Sequence, residues 1–136
     1  MESIVDPTKH QSFNLQMIHM ILFVLGNIVA TGNHFAETVV NITCVLESMT
    51  QIFRSLKNVP KEVYEKVAWV SSQICKLELN IGSIDHAIVH IRHVLNCGYD
   101  TAVTDGMWAA SNLLNKDKGG VIANKLLTAE PSILQI

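Results

Sequence analysis

The chain has 136 residues, a formal net charge of −2, 49% hydrophobic residues and only 16% charged ones. That length holds one compact domain or a short repeat array, and a chain this apolar buries a core, which excludes global disorder. With 10 Lys+Arg against 12 Asp+Glu it lacks the basic balance that nonspecific nucleic-acid binding requires.

The opening residues, Met1-Glu2-Ser3-Ile4-Val5-Asp6, have no charged region followed by an apolar stretch and do not read as a secretory signal. Residues 1–12 are expected to form an N-terminal segment, and residues 13–136 one domain. Leu15, Ile18, Leu22, Leu25 and Val29 recur at steps of three and four, the stripe of an amphipathic helix. The greasiest run, residues 17–30, is too short to span a bilayer and predicts a buried helix. A short helix over residues 34–41 and a medium one over residues 42–56 follow, the second striped by Ile42, Val45, Leu46, Met49, Ile52, Phe53 and Leu56. Asn58 marks a break and Pro60 suits a first helical turn, so Val63, Val67, Val70, Ile74 and Leu77 belong to a new helix.

A looser short-and-medium pair is expected over residues 81–85 and 86–96, carrying Ile84, Ile88, Ile91, Val94 and Leu95 and ending at Asn96-Cys97-Gly98. Met107, Ala110, Leu113 and Leu114 stripe a further helix, which Gly119-Gly120 breaks. Residues 121–127 start another, Pro131 ends it, and residues 133–136 read as the start of one more. No strand alternation of any length occurs, so the fold class is all-α. Cys44, Cys75 and Cys97 form no CxxC pair and read as buried free thiols in a reducing compartment. Asn41-Ile42-Thr43 fits a glycosylation sequon but is incidental without a signal peptide.

Three segments repeat. Phe23/Asn27, Trp69/Gln73 and Trp108/Asn112 each pair an aromatic residue with a carboxamide four positions later, followed by an aliphatic one. The carboxamides lie 46 and 39 residues apart, near the armadillo period of about 40–47. Short, medium and long helices in succession also follow the armadillo order, with long third helices expected near residues 14–31, 60–78 and 100–116. The expected architecture is an armadillo-repeat α-α superhelix, a short solenoid of about 2.5–3 repeats.

Gly26-Asn27-Ile28-Val29-Ala30-Thr31-Gly32 followed by Glu37-Thr38-Val39-Val40 resembles a run in the importin-alpha family. Glu65-Lys66-Val67-Ala68-Trp69, and the longer run from Thr104 through Trp108 to Leu113, resemble the long helices of that family's later repeats. The resemblance extends roughly from Phe13 to Leu127. It implies an adaptor of the cytoplasm and nucleus that binds basic nuclear localisation signals for protein import. Trp69 and Trp108 match the family's aromatic row, Asn27 and Asn112 its carboxamide row, and Asp105 an acidic position three residues before the Trp. Phe23 stands where the row has Trp or a non-aromatic residue, and Gln73 replaces Asn. Lys66 stands where the family often has Glu, Asn33 near where it has Asp, and Gly106 inside a helix costs about 1 kcal/mol relative to Ala.

A four-residue step puts aromatic and carboxamide on one helix face. Stacked third helices would then present two rows along a concave surface. Indole faces take the stem and cation of a Lys or Arg at about 0.5–2 kcal/mol each, and a carboxamide pairs with a peptide backbone through both donor and acceptor. The expected peptide-binding set is Phe23, Asn27, Trp69, Gln73, Asp105, Trp108 and Asn112. Its expected partners are Lys/Arg-rich segments of cargo proteins and other transport factors, with neither direct nucleic-acid binding nor membrane insertion. The alternatives are that both rows are structural, or that the chain is a general armadillo or HEAT-type scaffold binding through another face. A full importin-alpha has about ten repeats and a basic arm, so self-association or capping of the exposed ends by a partner is expected.

His86, His90, His93 and Cys97 share one helical face at i, i+4, i+7 and i+11, a spacing that offers a metal at most two or three ligands from one straight helix. The alternative is a polar, mildly pH-sensitive helix face. No nucleophile motif, Walker loop or dinucleotide fingerprint is present, so neither catalysis nor a cofactor is expected. Lys116-Asp117-Lys118 reads as a solvated loop of charges.

Overall fold

The computed structural model describes residues 7–56 and 58–128. Among the described residues every element is a helix: α1 (Pro7–Ala30), α2 (His34–Ile42), α3 (Val45–Ser55), α4 (Lys61–Ile74), α5 (Ile81–Leu95), α6 (Asp100–Leu114) and α7 (Val121–Thr128). The all-α expectation holds. Helix α1 reaches back to Pro7, whose fixed φ and missing N–H suit a first helical position. The residues expected to start a last helix, 133–136, lie outside the described ones.

Helices α1, α4 and α6 lie side by side, with α4 in the middle. Helices α3, α5 and α7 form a second row behind them, and α2 touches α1, α3 and α5. One residue step recurs between neighbours. Asn112 reaches Ser72 and Thr50 reaches His90, both 40 residues away, and Lys125 pairs with Asp85 at the same separation of 40. Lys116 donates to the Leu77 carbonyl at a separation of 39. Between α1 and α4 the contacts Phe23–Lys66 and Gly26–Trp69 both step by 43. A constant offset along a pair of helices means that the pair runs parallel, so α1, α4 and α6 point the same way.

Two glycines set how closely the helices approach. A Cβ on Gly26 would stand 2.0 Å from the Trp69 ring, so that ring lies directly on the α1 backbone. A Cβ on Gly106 would stand 2.8 Å from Val94 Cγ1, so the glycine that weakens α6 intrinsically lets it close on α5. One apolar cluster joins Leu22, Leu25 and Val29 of α1 to Val40, Leu46, Met49, Val63, Val67 and Val70. A second, of Ile88, Ile91, Ala109, Leu113, Ile122 and Leu126, joins α5, α6 and α7.

Several expectations need correction. The pair expected over residues 81–85 and 86–96 is one helix, because Asn80 caps it by accepting the Ser83 N–H at 2.8 Å and nothing interrupts it afterwards. The greasy run of α1 is only partly buried: Met17, Met20, Ile21, Phe23 and Val24 are exposed, since among the described residues α1 has neighbours on one side only. Cys75 is buried as expected and burial pushes its thiol up to about 12, but Cys97 is half-buried and Cys44 is exposed. The charges at 116–117 are not free in solvent. Lys116 holds the Leu77 carbonyl, and the Asp117 carboxylate accepts the Ile122 and Ala123 N–H groups at 3.0 and 3.1 Å, capping the start of α7. Asn33, near the position where an acid was expected, caps α2 by accepting the Ala36 N–H at 2.9 Å. Asn41 of the sequon is engaged as well: its side chain donates to the Glu78 carbonyl at 2.8 Å and accepts the Asn80 N–H at 2.9 Å.

Candidate functional site: a groove across the front helices

Trp69 and Trp108 stand one repeat step apart on the parallel helices α4 and α6 and line the same pocket of about 390 Å³, with Ser72, Gln73, Lys76, Asp105 and Asn112. Five of the seven expected binding residues therefore meet in one place: Trp69, Gln73, Asp105, Trp108 and Asn112. Phe23 and Asn27 do not line it. They lie on α1, on the far side of Trp69, and Phe23 is linked to the groove through Lys66.

The two indoles are used differently. Trp108 is 63% exposed, a large apolar ring in water that helix stability does not require. Trp69 is half-buried because its ring rests on Gly26. Helical spacing brings Ser72 to the same face as Trp69, at i+3, and Lys76 joins it from the turn past the end of α4. Ser72 donates its hydroxyl to the Trp69 carbonyl at 2.6 Å, and its own carbonyl accepts from Asn112 Nδ2 at 3.3 Å. Asn27 Nδ2 donates to the Phe23 carbonyl at 3.0 Å. Each of these amides thus spends one N–H on the protein backbone and keeps a second N–H and an oxygen.

Charge in the groove is divided. Asp105 has its carboxyl held above the usual range, first by burial and then by the negative Glu65 across the α4–α6 seam. Asp105 thus borders the groove with a second carboxylate, Glu65, acting on it from α4. Lys76 lines the groove as well. Lys66 places its ammonium 5.0 Å from the centroid of Phe23 and 5.2 Å from that of Trp69. The sequence reading missed Ser72 and Lys76 as groove residues and Glu65 as a neighbour of Asp105. Ser72 was legible as the i+3 companion of Trp69; Lys76 lies past the helix end, and Glu65 needed the α4–α6 register.

The histidine face is neither a gathered metal cluster nor a polar surface. Thr50 of α3 donates its hydroxyl to the Leu46 carbonyl at 3.2 Å and lies 2.8 Å from both His86 Nδ1 and His90 Nε2. The hydroxyl thus joins both rings of α5 to the backbone of α3. His90 is wholly buried, and that burial, followed by the neighbouring His86, lowers its pKa to about 3. His93 stacks on Phe53 at 4.3 Å, and Cys97 Sγ accepts the Tyr99 N–H at 3.4 Å. Among the described residues no group of three or more His, Cys, Asp or Glu comes together to hold a metal ion. No helix among them is long and apolar enough to cross a membrane. Neither a protein-family model, nor a curated protein, nor a solved structure matches the chain.

Proposed function

We propose that the chain is a short armadillo-type stack that binds an extended Lys/Arg-rich peptide across α4 and α6, as an adaptor for basic nuclear-import signals. The observation that carries this reading is the open pocket lined by Trp69 and Trp108 together with Asp105, Gln73 and Asn112. An exposed indole offers its face to a cationic side chain. Asp105 and Glu65 supply the negative charge, and the spare amide groups of Gln73 and Asn112 suit a peptide backbone whatever its side chains. The recurrent step of about 40 residues between parallel neighbours supports the stacked-repeat reading, and the likeness of Gly106-Met107-Trp108-Ala109-Ala110-Ser111-Asn112 to importin-alpha long helices supports the choice of ligand.

The test is titration of a fluorescently labelled lysine-rich peptide into the full chain at low and moderate salt. Binding weakens with salt and is lost in the double variant Trp108→Ala, Asn112→Ala, whose helical circular dichroism matches wild type. Tight binding by that variant, or none by wild type, removes this reading. A second reading, a scaffold for another partner, rests on a different feature. Ile18, Ile21, Leu22, Leu25, Val45, Met49 and Ile52 line an apolar cleft of about 420 Å³ between α1 and α3, and Met17 and Met20 of α1 are exposed as well. Self-association through that end would appear in light scattering as a concentration-dependent mass.

A further inference from the structure

The groove has room for aromatic–cation contacts at two places, and the protein's own side chain fills one of them. Phe23 on α1 and Trp69 on α4 present rings to the same ammonium, that of Lys66, at 5.0 and 5.2 Å. The spacing between those rings is set by packing. Trp69 rests on the Cβ-free face of Gly26, which brings α1 against α4, and Phe23 stands one turn before Gly26 on the same helix. Lys66 stands one turn before Trp69 on α4, so its stem crosses from its own helix to the α1 ring. Among the described residues no carboxylate pairs with it. At the next place along, between Trp69 and Trp108, no Lys or Arg of the described residues stands over the Trp108 ring. Asp105 borders it, and Lys76, which also lines it, lies in the turn past the end of α4.

We infer that Lys66 is a built-in occupant of the Phe23–Trp69 place and so sets the specificity of the groove: an incoming segment seats one cation, between Trp69 and Trp108, and is refused a second. A ligand ammonium directed at the first place meets a ring face already occupied and a like charge at contact distance. The register of the ligand follows, because its single cation has one seat, beside Asp105, and the chain beyond it must pass Lys66 with a neutral or acidic residue. This inference rests on the peptide-binding reading proposed above for its consequence, but not for the position of Lys66 itself.

Two measurements separate the parts. In the first, the lysines of the full-length protein are reductively ¹³C-dimethylated and followed by NMR without any peptide. The Lys66 signal, identified by its absence in Lys66→Arg, lies upfield of the other lysine signals through the ring currents of Phe23 and Trp69, and moves back toward them in Phe23→Leu. A Lys66 signal among the others, unmoved by Phe23→Leu, overturns the inference whether or not peptides bind. In the second, short labelled peptides with one lysine or with two separated lysines are compared on wild type and Lys66→Gln. Wild type shows no preference between them. In Lys66→Gln the two-lysine peptide gains a preference of about tenfold, the regained ring contact together with the loss of a like charge. Binding with an unchanged preference sinks the specificity role and leaves the groove reading standing; no binding to either protein sinks the groove reading and the specificity role with it.

Discussion

The front seam between α4 and α6 and the rear seam between α3 and α5 are built with the same step of 40 residues, yet they treat polar side chains in opposite ways. At the rear, Thr50 and His90 meet inside the molecule, both buried, with the Thr50 hydroxyl 2.8 Å from His90 Nε2. At the front, Trp108 stands in water, and Asn112 gives one N–H to Ser72 while its remaining groups face the groove. A shared register brings residues of successive helices together in both seams. Which face the second row covers decides whether the meeting is a structural joint or an accessible site.

Three experiments bear on that contrast. The largest effect belongs to the rear. His90→Ala removes a buried ring and leaves Thr50 with fewer partners, so urea denaturation should show a loss of about 3 kcal/mol. A loss below about 1 kcal/mol would mean that the rear seam is as loose as the front.

The second is pH dependence. In the unfolded chain His90 binds a proton near its ordinary 6.5, whereas in the folded one burial holds it neutral down to about 3. Between these values the unfolded state carries the extra proton. The stabilisation is therefore complete above about 6.5 and declines as the pH falls towards 3. The slope is at most about 1.4 kcal/mol per pH unit. His93, lowered by burial and by Arg92, adds in the same direction. Urea midpoints measured from pH 7 to 4 should fall, and should fall less steeply in His90→Gln.

The smallest effect is at the front. Trp108→Ala should change stability by less than about 0.5 kcal/mol, because most of the ring is already exposed, while abolishing capture of a basic peptide. A large stability loss would make Trp108 a core residue and close the contrast.

Much of the fold was legible because helical periodicity is a local property. The stripe Val63, Val67, Val70, Ile74 on α4 is buried as its spacing predicts. The 39-residue spacing of Gln73 and Asn112 also foretold that Trp69 and Trp108 would share a pocket. The neighbours of the face His86, His90, His93 and Cys97 were not legible, because spacing gives a direction but not a neighbour: Thr50 and Phe53, brought in by α3, contact three of the four residues. Phe23 and Asn27 match the repeat in sequence but miss the pocket, because Gly26 seats Trp69 against α1 and Lys66 fills the space beside Phe23.

The order of the helices, the residues facing inward and the period of the repeat were fixed by the amino-acid sequence, since each depends on which side chains fall on one face of a short segment. The tertiary structure alone decided which aromatic ring stays open, where Lys66 comes to rest and which histidine loses its charge. Those outcomes depend on the distance between helices, and that distance is set by contacts some 40 residues apart, such as a tryptophan ring lying on the bare backbone of a glycine.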